Sequence, residues 1–486
     1  MNARKGGLIL LGLLASLCLV SCGGGNSETA SGGGIGGTGY VSSGTITAFG
    51  SIRVNGVEFD TGNALVSIAG RPAGRGNQAV RENLAVGQFV VVEGTVNQEG
   101  LSGNASRVSF TPHVKGPITE LVVLDPLVIK IIVLGQTLII DKKTVLRDTT
   151  AGALAVNNFV EVSGLPDEGD VIRATFLRKR EDTFAPSAEV EVKGMVQNPD
   201  FSGKTFRLGA LWVDYSRAEL FSHPDAGPMV GQWVRVKGRL GIGARMEATE
   251  IGPADESIMF KADRLDVEGM VTEFVSGADF KVGSVKVQAQ ESTKFIGGKI
   301  EELAPGSRIR VRGRFLNGVL IAQQVFFHNP VQLESRISSK DSARRTLSLS
   351  GLEPITVTVT CLTKMAPGSR GFEDLRVENF IKIRGDVGTG SSVVAERLQV
   401  IPSPPLADSV VLQGPVEEIF RPNLVILGVT VDTSSIPGDH FEGFTGSDRP
   451  SEFFRNLQVG DPVKVRGKIA GTNQVLWEGN SLEKGS

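Results

Sequence analysis

The sequence predicts an all-β protein: tandem small five-stranded barrels, each with a short helix. Three observations predict it. One short motif recurs six times, its closing glycines 70, 74, 75, 72 and 82 residues apart. Apolar and polar residues alternate within each copy at the period of a strand, and turn signals bracket the alternation.

Ahead of the repeats, Arg4 and Lys5 precede an apolar run from Leu8 to Val20, too short to span a membrane comfortably. The run ends in Leu19-Val20-Ser21-Cys22, which resembles a bacterial lipobox. The resemblance implies cleavage before Cys22, acylation of its thiol, and anchoring in a cell envelope. Gly23 in place of an aspartate favours the outer membrane. An ordinary secretory signal or a short anchor is the alternative. Residues 23–39 form a Gly/Ser tether whose Gly32, Gly34 and Gly37 match a dinucleotide fingerprint, but no strand precedes them and no helix follows.

The copies read Gly87-QFVVVE-Gly94, Asn157-NFVEVS-Gly164, Gly231-QWVRVK-Gly238, Gly306-SRIRVR-Gly313, Glu378-NFIKIR-Gly385 and Gly460-DPVKVR-Gly467. Their Val and Ile residues fall on one strand face, and the closing glycine suggests a bend or bulge. A short helical plug before the strand ends in Leu84, Leu154, Leu303, Leu375 or Leu457, with Pro228 in the third copy. A hairpin lies upstream, clearest at Asn55-Gly56, and another downstream, clearest at Asn317-Gly318. Strand, strand, strand, helix, strand, strand is the order of an OB barrel.

On these motifs the copies resemble the bacterial domain-of-unknown-function family numbered 5666, found in tandem in exported proteins. The resemblance implies architecture and no activity. The second and fifth copies depart from it at Asn157 and Glu378, and the fifth has a poor first strand around Ser335. The organisation expected is a signal at 1–21, a lipidated Cys22 and tether at 22–42, and repeats at 43–112, 113–187, 188–260, 261–330, 331–405 and 406–486. Short joints such as Pro402-Ser403-Pro404-Pro405 favour an elongated, beaded shape.

Without residues 1–21 the chain keeps 49 basic and 53 acidic residues, a formal charge of −4, which does not suit a general polyanion binder. Nucleic acid is an unlikely partner on that ground. Besides Cys18 and Cys22 the only cysteine is Cys361, within ITVTVTCL, so apolar burial holds the barrels and Cys361 reads as a small buried residue. The four histidines lack metal-ligand spacing, and no nucleophile, zincin or Walker motif occurs. The expectation is a protein without cofactor, metal or catalytic residues.

One feature rises above background. On the motif strand, positions opposite the Val/Ile face turn basic in later copies: Arg235 and Lys237, Arg308, Arg310 and Arg312, Lys382 and Arg384, Lys464 and Arg466. An aromatic residue, Trp233 in the third copy, opens the same face. OB barrels that bind single strands combine basic and stacking residues in this way. Here the candidate ligand-binding set is Trp233, Arg235, Lys237, Arg308, Arg310, Arg312, Lys464 and Arg466. An anionic envelope glycan or a partner protein is the expected ligand. The competing readings are a solvated face, neutralised by cross-strand acids, and a copy-to-copy interface. The function expected is a non-enzymatic envelope binding or scaffold protein, with a purely structural spacer, or an enzyme with a site between repeats, as alternatives.

Overall fold

Each motif copy builds the same closed barrel. The computed structural model describes residues 39–482 apart from 222–226, 242–244, 256, 258, 260–261, 329, 367–370, 403–405, 407, 445 and 472–473; Cys22 and most of the tether lie outside the described residues. In the first barrel the strands are Tyr40–Ala48, Ile52–Val54, Val57–Asp60 continued by Leu65–Ile68, then Phe89–Val96 and Ser102–Phe110. The first strand pairs antiparallel with the second and the fourth, the third runs parallel to the fifth, and the fifth closes on the fourth. That cycle is the OB topology. It recurs in the other five copies, the short Phe441–Glu442 supplying the parallel partner in the sixth.

The first strand serves two neighbours in succession. Its leading half pairs with the motif strand and its trailing half with the second strand. The hand-over falls at a buried β-branched residue: Ile46, Ile118, Val196, Val271, Ile337 or Val416. In all six barrels this residue's carbonyl accepts the N–H of the position opening the motif, and its N–H donates to the next carbonyl along the motif, at 2.7–3.0 Å. Closing that pair requires a left-handed turn. The opening residues Gly87, Asn157, Gly231, Gly306, Glu378 and Gly460 have φ between +71° and +91°. Four copies meet the requirement with glycine and one with asparagine, which tolerates it; Glu378 bears the steric cost.

The closing glycines answer a different constraint. At Gly94, Gly164, Gly238, Gly313, Gly385 and Gly467 the ladder to the last strand shifts register, so each marks a β-bulge. A Cβ at any of them would lie under 3.0 Å from a backbone carbonyl oxygen of that last strand. The bulge bends the motif strand as small barrels require. Inside, the Val and Ile pairs of all six motifs are buried, as are the five plug leucines and Pro228. The plugs are helices Gly76–Asn83 and Arg449–Asn456 in the first and sixth barrels, and single 3-10 turns in the second, fourth and fifth. The hairpin turns at Asn55-Gly56 and Asn317-Gly318 have positive φ at both residues, the type I′ geometry that suits strand twist.

Two expectations are corrected. The fifth barrel's first strand is intact over Val331–Asp341, because buried Ser335 donates its hydroxyl to the Ser350 carbonyl at 2.7 Å. The barrels also do not string out like beads. The leading half of each first strand has an outer edge, and another barrel pairs with it. Barrels two and three join antiparallel through Val114 and Val192, and barrels five and six through Leu333 and Leu412. Barrels one and four join in parallel, Tyr40 to Ser43 alongside Arg264 to Val267. Residues 38–486 form one compact unit.

Substituting the two glycine classes separates their roles. Gly313→Ala should lower stability by roughly 1–3 kcal/mol through overpacking at the bulge. Glu378→Gly should be neutral or stabilising by up to about 1 kcal/mol, because it relieves the left-handed strain at the cost of a more flexible unfolded chain. Urea denaturation of the two variants beside the parent chain checks both signs.

Candidate functional site

Most of the basic positions expected to form an open strip are instead paired with carboxylates beside the contacts between barrels. Asp266, fully buried on the first strand of barrel four, accepts from Arg310 at 2.6 and 2.7 Å, from Arg312 at 2.9 Å and from the Tyr40 hydroxyl of barrel one at 3.0 Å. Burial, and then the Asp266 charge, push the Tyr40 phenol well above its usual range. The Asp266 carbonyl also accepts from Asn55, and Arg312 reaches across to the Gly100 carbonyl. Two residues on, Glu268 binds Arg308 at 2.6 Å and the backbone N–H of Thr45 at 2.8 Å. Arg308 and the Thr45 bond outweigh burial and hold the Glu268 carboxyl down at about 2.

The same pattern holds elsewhere. Arg235 pairs with Glu250 at 2.7 Å, and Glu250 also takes Arg71 of barrel one. Arg384 and Lys382 of barrel five bind Glu302 of barrel four. Lys464 donates to Gln332 across the seam of barrels five and six, and half-exposed Arg466 pairs with Glu442 at 2.6 Å. Lys143 of barrel two lies between Asp386 and Glu396 of barrel five. The aromatics that open this face, Phe89, Phe159, Trp233 and Phe380, form no stacking platform: Phe159 and Phe380 are buried, and the half-buried Phe89 and Trp233 stand on different barrels. The eight predicted residues thus do not come together: Trp233 borders the cleft, Arg466 pairs within barrel six, and the rest lie at or beside different seams. Of the carboxylates that receive the basic positions, Asp266 and Glu268 stand on a first strand, Glu250 on the last strand of barrel three, Glu302 on the plug of barrel four and Glu442 on the short third-strand segment of barrel six.

Cys361 is likewise corrected, from buried to exposed. The ladder slips between Val359 and Lys364, which turns the residue outward. Partial burial, then Asp125, push its thiol up to about 11, the reverse of what a nucleophile needs.

Two of the spaces between the barrels are roomier than the narrow gap beside Lys143, Asp386 and Glu396. A cleft of about 930 Å³ lies among barrels two, three and four, bordered by Met195, Trp233, Asp167, Asp170 and Glu273. Met195 is 43% exposed, and the Trp233 indole N–H has no partner among the described residues. Asp167 faces Arg173 at 3.8 Å and Glu273 pairs with Lys281 at 2.8 Å. A second cavity of about 220 Å³ lies where barrel one covers the shared sheet of barrels two and three, and Glu191, Lys115 and Lys237 line it. Burial pushes the Glu191 carboxyl up to about 7, against the pull of Lys237, Arg235 and Lys115. Burial also lowers Lys237. Beside the cleft, His113 is buried and its imidazole is held down at about 3, first by burial and then by Lys193. No cluster of His, Cys, Asp or Glu that could hold a metal occurs among the described residues, and no helix among them is long and apolar enough to cross a membrane.

Comparison with known proteins follows the fold. The family model described as a domain of unknown function (DUF5666) matches four times, at residues 38–109, 115–178, 268–325 and 413–476. These matches cover more than half of the chain, and the protein belongs to that family. The third and fifth barrels fall outside the matches while keeping the same topology. A solved chain described as "drosophila Unr CSD456" is similar at 14% identity over 43% of this chain and 96% of that one, with a TM-score of 0.11 that carries no argument. No curated protein matches.

Two measurements probe the seams. Asp266→Ala should destabilise the chain by roughly 3–5 kcal/mol, because it strands two buried arginines; denaturant titration reads this directly. His113, neutral when folded and titrating near 6.5 when unfolded, contributes stability that is complete above pH 6.5 and is lost as pH falls toward its folded value of about 3. The melting temperature of the parent chain should therefore fall more steeply between pH 7 and 4 than that of His113→Asn.

Proposed function

We propose that this family member is a non-enzymatic cell-envelope lipoprotein, lipidated at Cys22, whose six barrels form one binding platform. The observation that carries the reading is the engagement of the basic positions by carboxylates of their own barrels, beside the seams that Tyr40, Thr45 and Arg71 of barrel one complete. With Arg235, Arg308, Arg310 and Arg312 engaged by carboxylates, these positions form no open basic stripe among the described residues, and the cleft of about 930 Å³ among barrels two, three and four is a large concave surface open to a partner. Its volume lies within the range of ligand sites.

The cleft's chemistry favours a partner protein over an anionic glycan. Exposed Met195 and the edge of Trp233 offer apolar contact. Asp170, Asp167 and Glu273 place carboxylates around them. An extended polypeptide segment with alternating basic and apolar side chains complements that arrangement. The spacer reading has its own support, since mutual closure of strand edges is what a stiff brace needs.

Two experiments test the proposal. Radiolabelled fatty acid should enter the parent chain and be absent from Cys22→Ala, which should partition with soluble proteins. Trp233 fluorescence should respond to basic, apolar peptides in a salt-sensitive manner, and Asp170→Asn with Glu273→Gln should weaken that response. A response to lipopolysaccharide and none to the peptides would overturn the choice of partner. Silence to both favours the spacer.

A further inference from the structure

Across the shared sheet of barrels two and three, six strands place one charged residue each in a single cross-strand row. Arg178 stands opposite Glu161, Glu161 opposite Lys115, Lys115 opposite Glu191, Glu191 opposite Lys237, and Lys237 opposite Glu250. The signs alternate along the whole row. Directly opposed residues on adjacent strands lie within interaction range, so such a row would be expected to pair off completely. Its ends do so. Arg180 takes Glu161 at 2.5 Å, Arg178 takes Asp148 at 2.8 Å, and Glu250 holds Arg235 and Arg71 at 2.7 Å each.

The centre does not. Glu191 is only 5% exposed, yet its Oε1 has no hydrogen-bond partner among the described residues. The nearest cation, Arg235 Nη1, stands 3.9 Å away, beyond hydrogen-bonding distance. Lys237, also 5% exposed, reaches only the Ala69 carbonyl at 3.4 Å, and Lys115 lies over the Phe159 ring at 5.6 Å. These three central groups line the cavity of about 220 Å³, which barrel one covers with Ala69, Asn83 and Leu84. One water needs only about 10–15 Å³, so the space admits a small molecule.

We propose that this cavity is a binding site for a small zwitterion of the α-amino acid class, with its carboxylate between Lys115 and Lys237 and its ammonium on Glu191. The argument rests on an unmet, buried Glu191 oxygen and two lysines that no carboxylate hydrogen-bonds, all lining one pocket. A simple anion would leave the Glu191 oxygen unmet, and a simple cation would leave the two lysines so. A zwitterion answers both, and its ammonium would relieve the burial that raises the Glu191 carboxyl. The site is independent of the cleft and of whichever partner the cleft takes.

Calorimetric titration of the full-length chain in detergent with the twenty free amino acids tests the assignment, alongside their N-acetyl and carboxamide derivatives. At least one free amino acid should bind saturably, and both of its blocked forms should fail on the unaltered protein. Glu191→Gln and Lys237→Met should each weaken binding by about tenfold or more, the effect expected for a lost charged hydrogen bond. The blocked ligands keep the test decisive if either variant fails to fold. Absence of binding by all twenty would overturn the proposal and leave a water-filled cavity. So would equal binding of the blocked forms, or unchanged affinity in both variants.

Discussion

The unpaired outer edge of each first strand governs this architecture. An OB barrel closes by giving the leading half of its first strand to the motif strand and the trailing half to the second strand. That leaves a short row of backbone donors and acceptors facing outward on the leading half. An open edge of this kind is a template for another strand. Here every such edge meets another of its own kind, in three pairs, and the backbone bonds of the pairing set how the barrels are spaced and rotated. Charged side chains then settle into positions that this pairing has already fixed.

Those charges are a costly way to join domains. Taking Asp266, Glu268 and Arg310 out of water carries a desolvation penalty that apolar residues would not incur, and a buried ion pair is weak evidence for net stability. What the pairs supply is discrimination. Six barrels with similar valine-lined interiors and similar strand edges could pair in many combinations. Asp266 takes Arg310 and Arg312 from its own barrel, and barrel one adds the Tyr40 hydroxyl to Asp266 and the Gly100 carbonyl to Arg312. Glu302 requires Lys382 and Arg384 of one other barrel. The seam chemistry differs from pair to pair, with Gln332 and Gln413 opposed where Glu191 and Lys115 are opposed elsewhere. A wrong pairing of barrels four and five would therefore separate Glu302 from both of its cations.

Much of the fold was legible because its constraints are local. The closing glycine reports a bulge within one ladder, Asn55-Gly56 reports a turn of two residues, and each plug leucine caps its own barrel. The opening position was legible only as a glycine with two exceptions; its partner, the hand-over residue such as Ile46 or Val416, carries no mark beyond being β-branched. The basic positions stood out in the sequence, but their setting did not. Whether Arg312 faces water or another barrel depends on a strand more than two hundred residues away. Cys361 was misplaced for a related reason, since a slip in its ladder reverses the face that strict alternation assigns it. The two cavities were illegible altogether, because each is walled by three barrels and belongs to none.

Barrels two and three, and five and six, are neighbours along the chain, but barrel one is matched with barrel four. As the polypeptide is made, the strand from Tyr40 to Ala48 emerges early, while Asp266 and its arginines follow more than two hundred residues later. Closing a loop of that length costs only slightly more than closing a short one. Time is the larger matter, because the first barrel waits with its edge exposed while two complete barrels assemble behind it. A chain arrested before the fourth barrel would keep that edge open, ready to recruit a strand from a second nascent copy. The matching also makes copy number even by construction, since adding or deleting a single barrel leaves one strand edge without a mate.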